Sequence, residues 1–463
     1  MMRYQANAFK RQANKALQDT TLQQALDRAQ TGFVARRAKA LELVDDFEHL
    51  KQQARAAKER ALSEAAYLLE RFECQVTANG GRVHWALDGA ELNRTVIDIC
   101  RQAGGRRIIK GKSMVGEETG LNPALEAAGF ELVETDLGEY IIQLAQEPPS
   151  HIIAPAIHKT RHQVADLFAR HHRQPPRTGD SIANLVAEAR QQLRAQFLSA
   201  DVGIIGANLL VAETGSVVLV TNEGNGDLSA NLPRTRIVVA SIEKIVATLE
   251  DANAVLEVLG RSATGQAMTA YTSFYQGPVQ DDAAGSPQSY HVVLLDNGRS
   301  DLLAGPYRDI LRCIKCGACL NHCPVYSNVG GHAYGSVYPG PMGSVLEPLL
   351  HELASTRPLP NASSFCGRCE EVCPMGIPLP RLLRQLRDRQ HEQQLEPQGW
   401  RRGLGIYGWL SRHPRCFRLT LKLLRGALWL VPPPFWGQGR RPLRPAGRGT
   451  FVEQWHRASR NER

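Results

Sequence analysis

Apolar positions change their period twice along the chain. Over the first sixty residues they recur at helical spacing among Ala, Gln, Lys and Arg, as in LQQALDRAQTGFVARRAKALELV. This predicts an amphipathic helical segment over 1–70, packed on the domain that follows it. From about 71 to 300 the pattern becomes short apolar runs separated by helical stretches: RRIIKG, HIIAPA, VGIIGANLLVAETGSVVLVTN, TRIVVAS and SYHVVLLDN. Such alternation predicts an α/β domain with a mainly parallel sheet. Glycines close several runs, where α/β proteins place ligand loops. A third region, 301–395, carries two clustered cysteine motifs and the helix-like GSVLEPLLHELAS and RLLRQLRDRQHEQQ. The polar break LEPQGW then opens a tail over 396–463.

Composition narrows the class. With 463 residues, 43% of them hydrophobic, the chain is long enough for two or three buried cores. No run approaches the length of a membrane-spanning helix. The opening MMRYQANAFKRQANKALQ lacks the apolar core of a secretory signal, so a cytoplasmic location is expected. In that reducing compartment ten cysteines are thiols or metal ligands rather than disulfides. Net charge is +9, but from Trp400 onward fourteen Lys and Arg face only Glu453 and Glu462, so the folded body is slightly acidic. There is no G-x-G-x-x-G fingerprint and no Walker A motif, hence no sequence basis for a nucleotide site.

The cysteines carry the chemistry. Cys313, Cys316, Cys319 and Cys323, followed by Pro324, form C-x2-C-x2-C-x3-C-P. Cys366, Cys369 and Cys373, followed by Pro374, repeat its last three-quarters, with Ser363 where the leading cysteine would fall. Structural zinc ordinarily takes two ligand pairs a dozen or more residues apart, which fits this spacing poorly. The run matches the bacterial ferredoxin pattern, in which three close thiolates hold one cubane and the fourth reaches the other cluster. Two iron–sulfur clusters, of the [4Fe-4S] kind, are therefore expected. One would take Cys313, Cys316, Cys319 and Cys373; the other Cys323, Cys366 and Cys369. The second lacks a fourth cysteine: Ser363 or another oxygen completes it, an iron stays open, or the cluster has three irons. Helical segments around both motifs favour an α-helical ferredoxin arrangement. Cys74, Cys100 and Cys416 stand alone and are expected to be small buried apolar residues. His322 beside Cys323 is expected in a solvent-facing loop.

The stretches CIKCGACLNHCPVY, ASSFCGRCEEVCP and IPLPRLL resemble the lactate utilization protein B family, as do KGKSMVGEETGLN, LLVAETGSVVLVTNEGN and RSATGQAMTAYTSFYQGP upstream. The resemblance spans nearly the whole chain and includes the serine in place of an eighth cysteine. It implies an iron–sulfur electron-transfer subunit of a complex oxidising L-lactate to pyruvate, working with two companion subunits. It further implies that the α/β domain is similar to the sugar-isomerase and CoA-transferase-like fold. Lys110, Lys112, Ser113, Glu117, Glu118, Glu213, Thr214 and Asn222 are the matching residues there. Glu118 or Glu213 is a candidate general base and Lys112 a candidate carboxylate partner. Caps and turns explain the same residues more simply, so none is assigned a catalytic role.

In the tail, CFRLTLKLLRGALWLV sets leucines and basic residues at helical spacing, with Trp429 near its end and PPPFW after it. Five of the six tryptophans lie here: Trp400, Trp409, Trp429, Trp436 and Trp455. A basic amphipathic helix with interfacial tryptophan suits peripheral contact with an anionic membrane, and so delivery of electrons to a quinone pool. Docking on a partner subunit or on the protein's own body is the competing expectation. Nucleic acid is disfavoured, since no reading motif is present. With no flavin or nicotinamide fingerprint, the hydride-accepting step is expected on a partner. Three rival functions remain: an electron carrier for another 2-hydroxy-acid or glycerol-phosphate dehydrogenase, an enzyme that binds the hydroxy acid in its own α/β domain, and a non-redox scaffold.

Overall fold

The computed structural model describes residues 5–172, 181–278 and 289–430, with short stretches between 451 and 459. The strands among them are β1 (Arg82–Ala86), β2 (Arg107–Lys110), β3 (Glu131–Glu134), β4 (Val202–Gly206), β5 (Leu209–Val211), β6 (Ser216–Thr221), β7 (Thr235–Ser241), β8 (Ile245–Val246), β9 (Tyr271–Tyr275) and β10 (Ser289–Leu295). Six of them form one sheet in the order β1-β10-β7-β4-β2-β3, with every pairing parallel. β7 is buried along its whole length, as a strand covered on both faces must be. Successive side chains serve opposite cores. Ile205, Val238 and Val292 pack with Leu68, Phe72 and Val76 of the helix Ala65–Ala78. Ile204, Val239 and Val293 pack on the other face with Leu92, Val96 and Ile99 of the helix Gly89–Gln102.

A second sheet, β8-β5-β6-β9, grows from the same chain. The long run VGIIGANLLVAETGSVVLVTN thus supplies three strands: β4 stays in the parallel sheet, and β5 and β6 pair antiparallel in the second. HIIAPA forms no strand. Pro149 precedes it and Pro155 lies within it; Pro155 brings no N–H to a ladder, and the segment turns back on itself with Ser150 N–H donating to Pro155 O at 2.9 Å.

From β2 the chain proceeds outward to β3. From β4, on the other side of β2, it proceeds the opposite way through β7 to β10. Strand order therefore reverses between β2 and β4, and the crevice beyond their carboxyl ends is the customary ligand position of open α/β sheets.

Residues Met1–Arg389 form one compact unit and Gln390–Arg463 a second. Inside the first unit, the amino-terminal helices pack on the α/β domain and also on the cysteine region. Lys58, fully buried, donates to Glu243 O and Ile245 O, and Arg60 pairs with Asp251. Gln23 donates to Asn328 O at 2.7 Å and Arg37 to Val372 O at 3.2 Å. The cysteine region is built from short helical pieces and the helices Gly340–Leu350 and Leu379–Glu392. In the second unit, the helices Gln398–Arg412 and Pro414–Leu430 expose Trp400, Ile406, Trp409, Leu419 and Leu423. PPPFW, Trp436 and the side chain of Trp429 lie outside the described residues. Among the described residues no helix is long and apolar enough to cross a membrane.

Candidate functional site: paired cysteine groups and an adjoining cavity

The two cysteine motifs share a backbone as well as a spacing. Gly317 and Gly367 both sit in the left-handed region, with φ of 75° and 83°, and each opens a single helical turn, Ala318–Asn321 and Arg368–Glu371. Only glycine adopts that conformation freely, which is why a C-G-x-C step recurs. The residues before Cys316 and Cys366, Lys315 and Phe365, are also left-handed, with φ of 58° and 55°. Non-glycine residues reach this region at a cost, and they concentrate at functional sites. Cys323 N–H bonds Leu320 O at 3.0 Å and Cys373 N–H bonds Glu370 O at 3.1 Å, so both turns end alike.

Folding brings the thiols into two groups. Cys313, Cys316, Cys319 and Cys373 line one cavity, walled by Met342, Met375, Ile377 and Leu379. Burial, with Cys373 nearby, pushes the Cys316 thiol up to about 12. Burial and the neighbouring thiols raise Cys319 well above its ordinary value. Cys323, Cys366 and Cys369 form the other group: burial and then Cys323 and Cys366 push Cys369 up to about 12. Buried, converging thiols of this kind are costly as free thiolates. Coordination to a cationic iron–sulfur core removes that cost, and the donor sets fit such a group. Arg37 and Arg312 bring positive charge close to the first set, with Arg312 donating to Gly376 O at 3.3 Å.

The other cysteines and His322 depart from expectation. Cys100 is buried in the core, but Cys74 and Cys416 are exposed. His322 is half-buried rather than in an open loop, and its Nδ1 lies 2.9 Å from Ala318 O.

The residues singled out in the α/β domain separate into two kinds. Glu118 is locked in place: Arg299 donates at 2.9 and 2.7 Å, Asn297 at 2.7 Å and Tyr338 Oη at 2.7 Å. Burial opposes its charge, but Arg299 more than offsets this and holds the carboxyl below its usual range, the wrong direction for a general base. Glu213 accepts from Leu249 N–H and caps the helix Leu249–Ala263. Thr214 bonds Ser216 Oγ, and Ser113 caps Gly116. Lys110 is buried against Glu134 at 2.5 Å and Glu117 at 3.4 Å, which keep it protonated despite its burial.

Lys112 and Asn222, by contrast, line a cavity of about 260 Å³ at the reversal between β2 and β4, and the capping Ser113 also lies in its wall. Lys244, Lys315 and Asn208, which no local sequence pattern distinguishes, line it too. Cys313, Ile314 and Lys315 form part of its wall, so it adjoins the first thiol group. Lys112 Nζ donates to Ile153 O at 2.8 Å and Lys244 Nζ to Ala207 O. Lys315 Nζ sits 4.3 Å from the Tyr338 ring centroid. Burial pushes Lys244 down to about 8, which leaves it largely charged at neutral pH.

A LUD domain model matches residues 69–295, and a 4Fe-4S dicluster domain model matches residues 309–377. Fold and site thus define an iron–sulfur protein in which an α/β LUD domain precedes a dicluster, ferredoxin-like region. Lactate utilization protein B of Oceanobacillus iheyensis is 38% identical over 98% of this chain and 97% of its own length. That of Bacillus licheniformis is 42% identical over 85% and 82%. The Escherichia coli protein described as an uncharacterized electron transport protein, YkgF, is 38% identical over 94% and 90%. The chain belongs to the lactate utilization protein B family. Among solved structures, a DUF162 family protein from Deinococcus radiodurans overlaps 50% of the chain and 98% of its own, at 15% identity and a TM-score of 0.29.

Proposed function

We propose that this chain is the iron–sulfur electron-transfer component of a complex that oxidises L-lactate to pyruvate, acting with two companion subunits. The observation that carries the proposal is the assembly of seven cysteines into two adjacent groups on a repeated backbone, buried or partly buried except for Cys366, which is exposed. When bound, two [4Fe-4S] clusters supply one-electron acceptance and donation, which suits the two electrons that leave each lactate. Cys313, Cys316, Cys319 and Cys373 hold the first cluster. Cys323, Cys366 and Cys369 hold the second, and Ser363 Oγ stands where its fourth ligand belongs. Met342, Met375 and Leu379 exclude water from the first group, and Arg37 and Arg312 offset its negative charge. The same reading covers the kinship of the α/β domain with the sugar-isomerase and CoA-transferase-like fold, and the α-helical ferredoxin character of 301–395. It also places the basic tail, 396–463, on the inner face of the membrane near a quinone acceptor.

Anaerobic purification, iron and sulfide analysis and electron paramagnetic resonance before and after dithionite test the core of this reading. About eight irons per chain and two interacting reduced signals are expected from a pair of cubanes. Zinc without iron overturns the redox role. Failure of the companion subunits and L-lactate to reduce the clusters, where glycolate or glycerol phosphate with their own dehydrogenases succeed, overturns the lactate assignment.

A further inference from the structure

The cavity between the carboxyl ends of β2 and β4 is not needed to hold a cluster, yet its wall is the loop that carries Cys313. Three ammonium groups converge on it from distant parts of the chain: Lys112 after β2, Lys244 after β7 and Lys315 within the first cysteine motif. Among the described residues none of the three forms an ion pair, whereas buried Lys110 nearby has two carboxylate partners. Lys112 and Lys244 each give one proton to a backbone carbonyl, which leaves further donors on each. Lys315 faces the Tyr338 ring and Met342 Sδ, and buried Glu243 acts on it and on Lys244 from beyond ion-pair distance. Three partly buried ammonium groups around one void, none in direct contact with a carboxylate among the described residues, gain from an anion that joins them.

The rest of the lining describes that anion. Asn208 and Asn225 add amides, and Thr221 Oγ1 is buried without a hydrogen-bond partner. Ile152, Ile205, Leu219 and Leu259 supply apolar wall, which suits carbon as well as charge. Asp136 and Glu223 at the rim disfavour a multiply charged ligand. A volume of about 260 Å³ admits a small molecule of up to roughly ten heavy atoms, a hydroxy or oxo acid among them. We infer that this cavity binds a small organic monocarboxylate, of the size of a hydroxy or oxo acid, against the Cys313 loop. The anion site stands on the lysines and the cavity alone; its restriction to hydroxy and oxo acids rests on the proposed function.

The test uses the full chain with its clusters, prepared anaerobically, and titrates L-lactate, pyruvate, acetate and inorganic phosphate by calorimetry. Electron paramagnetic resonance of the dithionite-reduced protein is recorded at each saturation. The expected result is saturable one-to-one binding of L-lactate or pyruvate, with a changed line shape in the signal of the first cluster. Lys112→Gln and Lys315→Gln should each weaken binding by about tenfold or more, while Lys39→Gln at an exposed position changes nothing. Absence of saturable binding by a sample with its full iron content overturns the inference and leaves the electron-transfer role standing. Tighter binding of phosphate than of either acid overturns the carboxylate class. Equal binding by the wild type and both lysine variants overturns the site. Carboxylate binding by a chain that holds no iron supports the site and removes the proposed function.

Discussion

His151 Nε2 lies 3.0 Å from Asn321 Oδ1, and this contact joins the loop after the α/β helix Leu137–Ala145 to the first cysteine motif. The ring is fixed from its other side, because Nδ1 accepts from Ile153 N–H at 2.9 Å and Ala154 N–H at 3.1 Å. With Nδ1 an acceptor, Nε2 carries the proton and donates to the amide oxygen. Tyr326 Oη donates to Ser150 O at 2.8 Å beside it, and Phe33 stacks on the imidazole at 5.6 Å. Replacing His151 by Ala leaves two backbone N–H groups and Asn321 unsatisfied in the interior. The expected cost is about 2–4 kcal/mol, read as a lower urea midpoint with iron content unchanged at neutral pH.

The same geometry makes stability depend on pH in a defined window. Burial pushes His151 down to about 4, since a proton on Nδ1 would face two N–H donors. The unfolded histidine titrates near 6.5, so below that value the unfolded chain binds a proton the folded chain refuses. Stability is complete above about pH 6.5 and falls as pH drops toward 4; His151 alone accounts for about 2 kcal/mol by pH 5. His158 and His291, also held at about 4 by burial, act in the same direction. Glu118 and Glu243 are held low, so their contribution is lost only at more acid pH, below about 4.5. Urea midpoints of the anaerobic protein at pH 7.5, 6 and 5 check this, and His151→Asn should flatten the decline.

Local patterns were legible and long-range convergence was not. Ligand spacing is a local property: the x2-x2 step keeps three thiols on one short stretch of chain, and its repetition is the ferredoxin pattern in which a cysteine of the second motif, Cys373, joins them. RIIK, TRIVVAS and SYHVVLL announced strands because β-branched residues fill both faces of a parallel sheet. RVHWA, ELVE and YTSFY carry weaker signals, with polar or exposed positions at sheet edges. HIIAPA was apolar for another reason, since it packs against the cysteine region instead of entering a sheet: Gly317 lies close to Ile152 and Ile153. Lys244 and Lys315 meet Lys112 only through the sheet reversal, which no window of residues displays.

Arg299 is buried with two acids, Glu118 at 2.7 Å and Glu243 at 2.8 Å. Glu118 also receives Tyr338 Oη from the cysteine region, so the pair ties two parts of the first unit together. Arg299→Met strands both carboxylates and should cost about 3–5 kcal/mol. Arg299→Met with Glu118→Leu should recover part of that loss, because one of the stranded charges is gone. Glu118→Gln keeps the volume and an oxygen for Arg299, Asn297 and Tyr338. It should lower the urea midpoint while leaving lactate-driven cluster reduction intact, the reverse of what a general base would show.

Phe365 N–H donates to Ser363 Oγ at 3.1 Å, and at the matching place in the first motif Lys315 N–H donates to Cys313 Sγ at 3.4 Å. Ser363 therefore presents its oxygen where a cysteine presents its sulfur, on a backbone that repeats from the left-handed residue through the glycine to the closing proline. Ser363→Ala removes that oxygen together with the hydrogen bond it accepts from Phe365 N–H. If it is the fourth ligand, the variant loses about one iron per chain on mild oxidation and gains a three-iron signal, while the first cluster keeps its signal. Ser363→Cys should retain all the iron and shift the potential of the second cluster, because sulfur replaces a harder donor. Unchanged iron content and spectra in Ser363→Ala would show that solvent or another oxygen fills the corner.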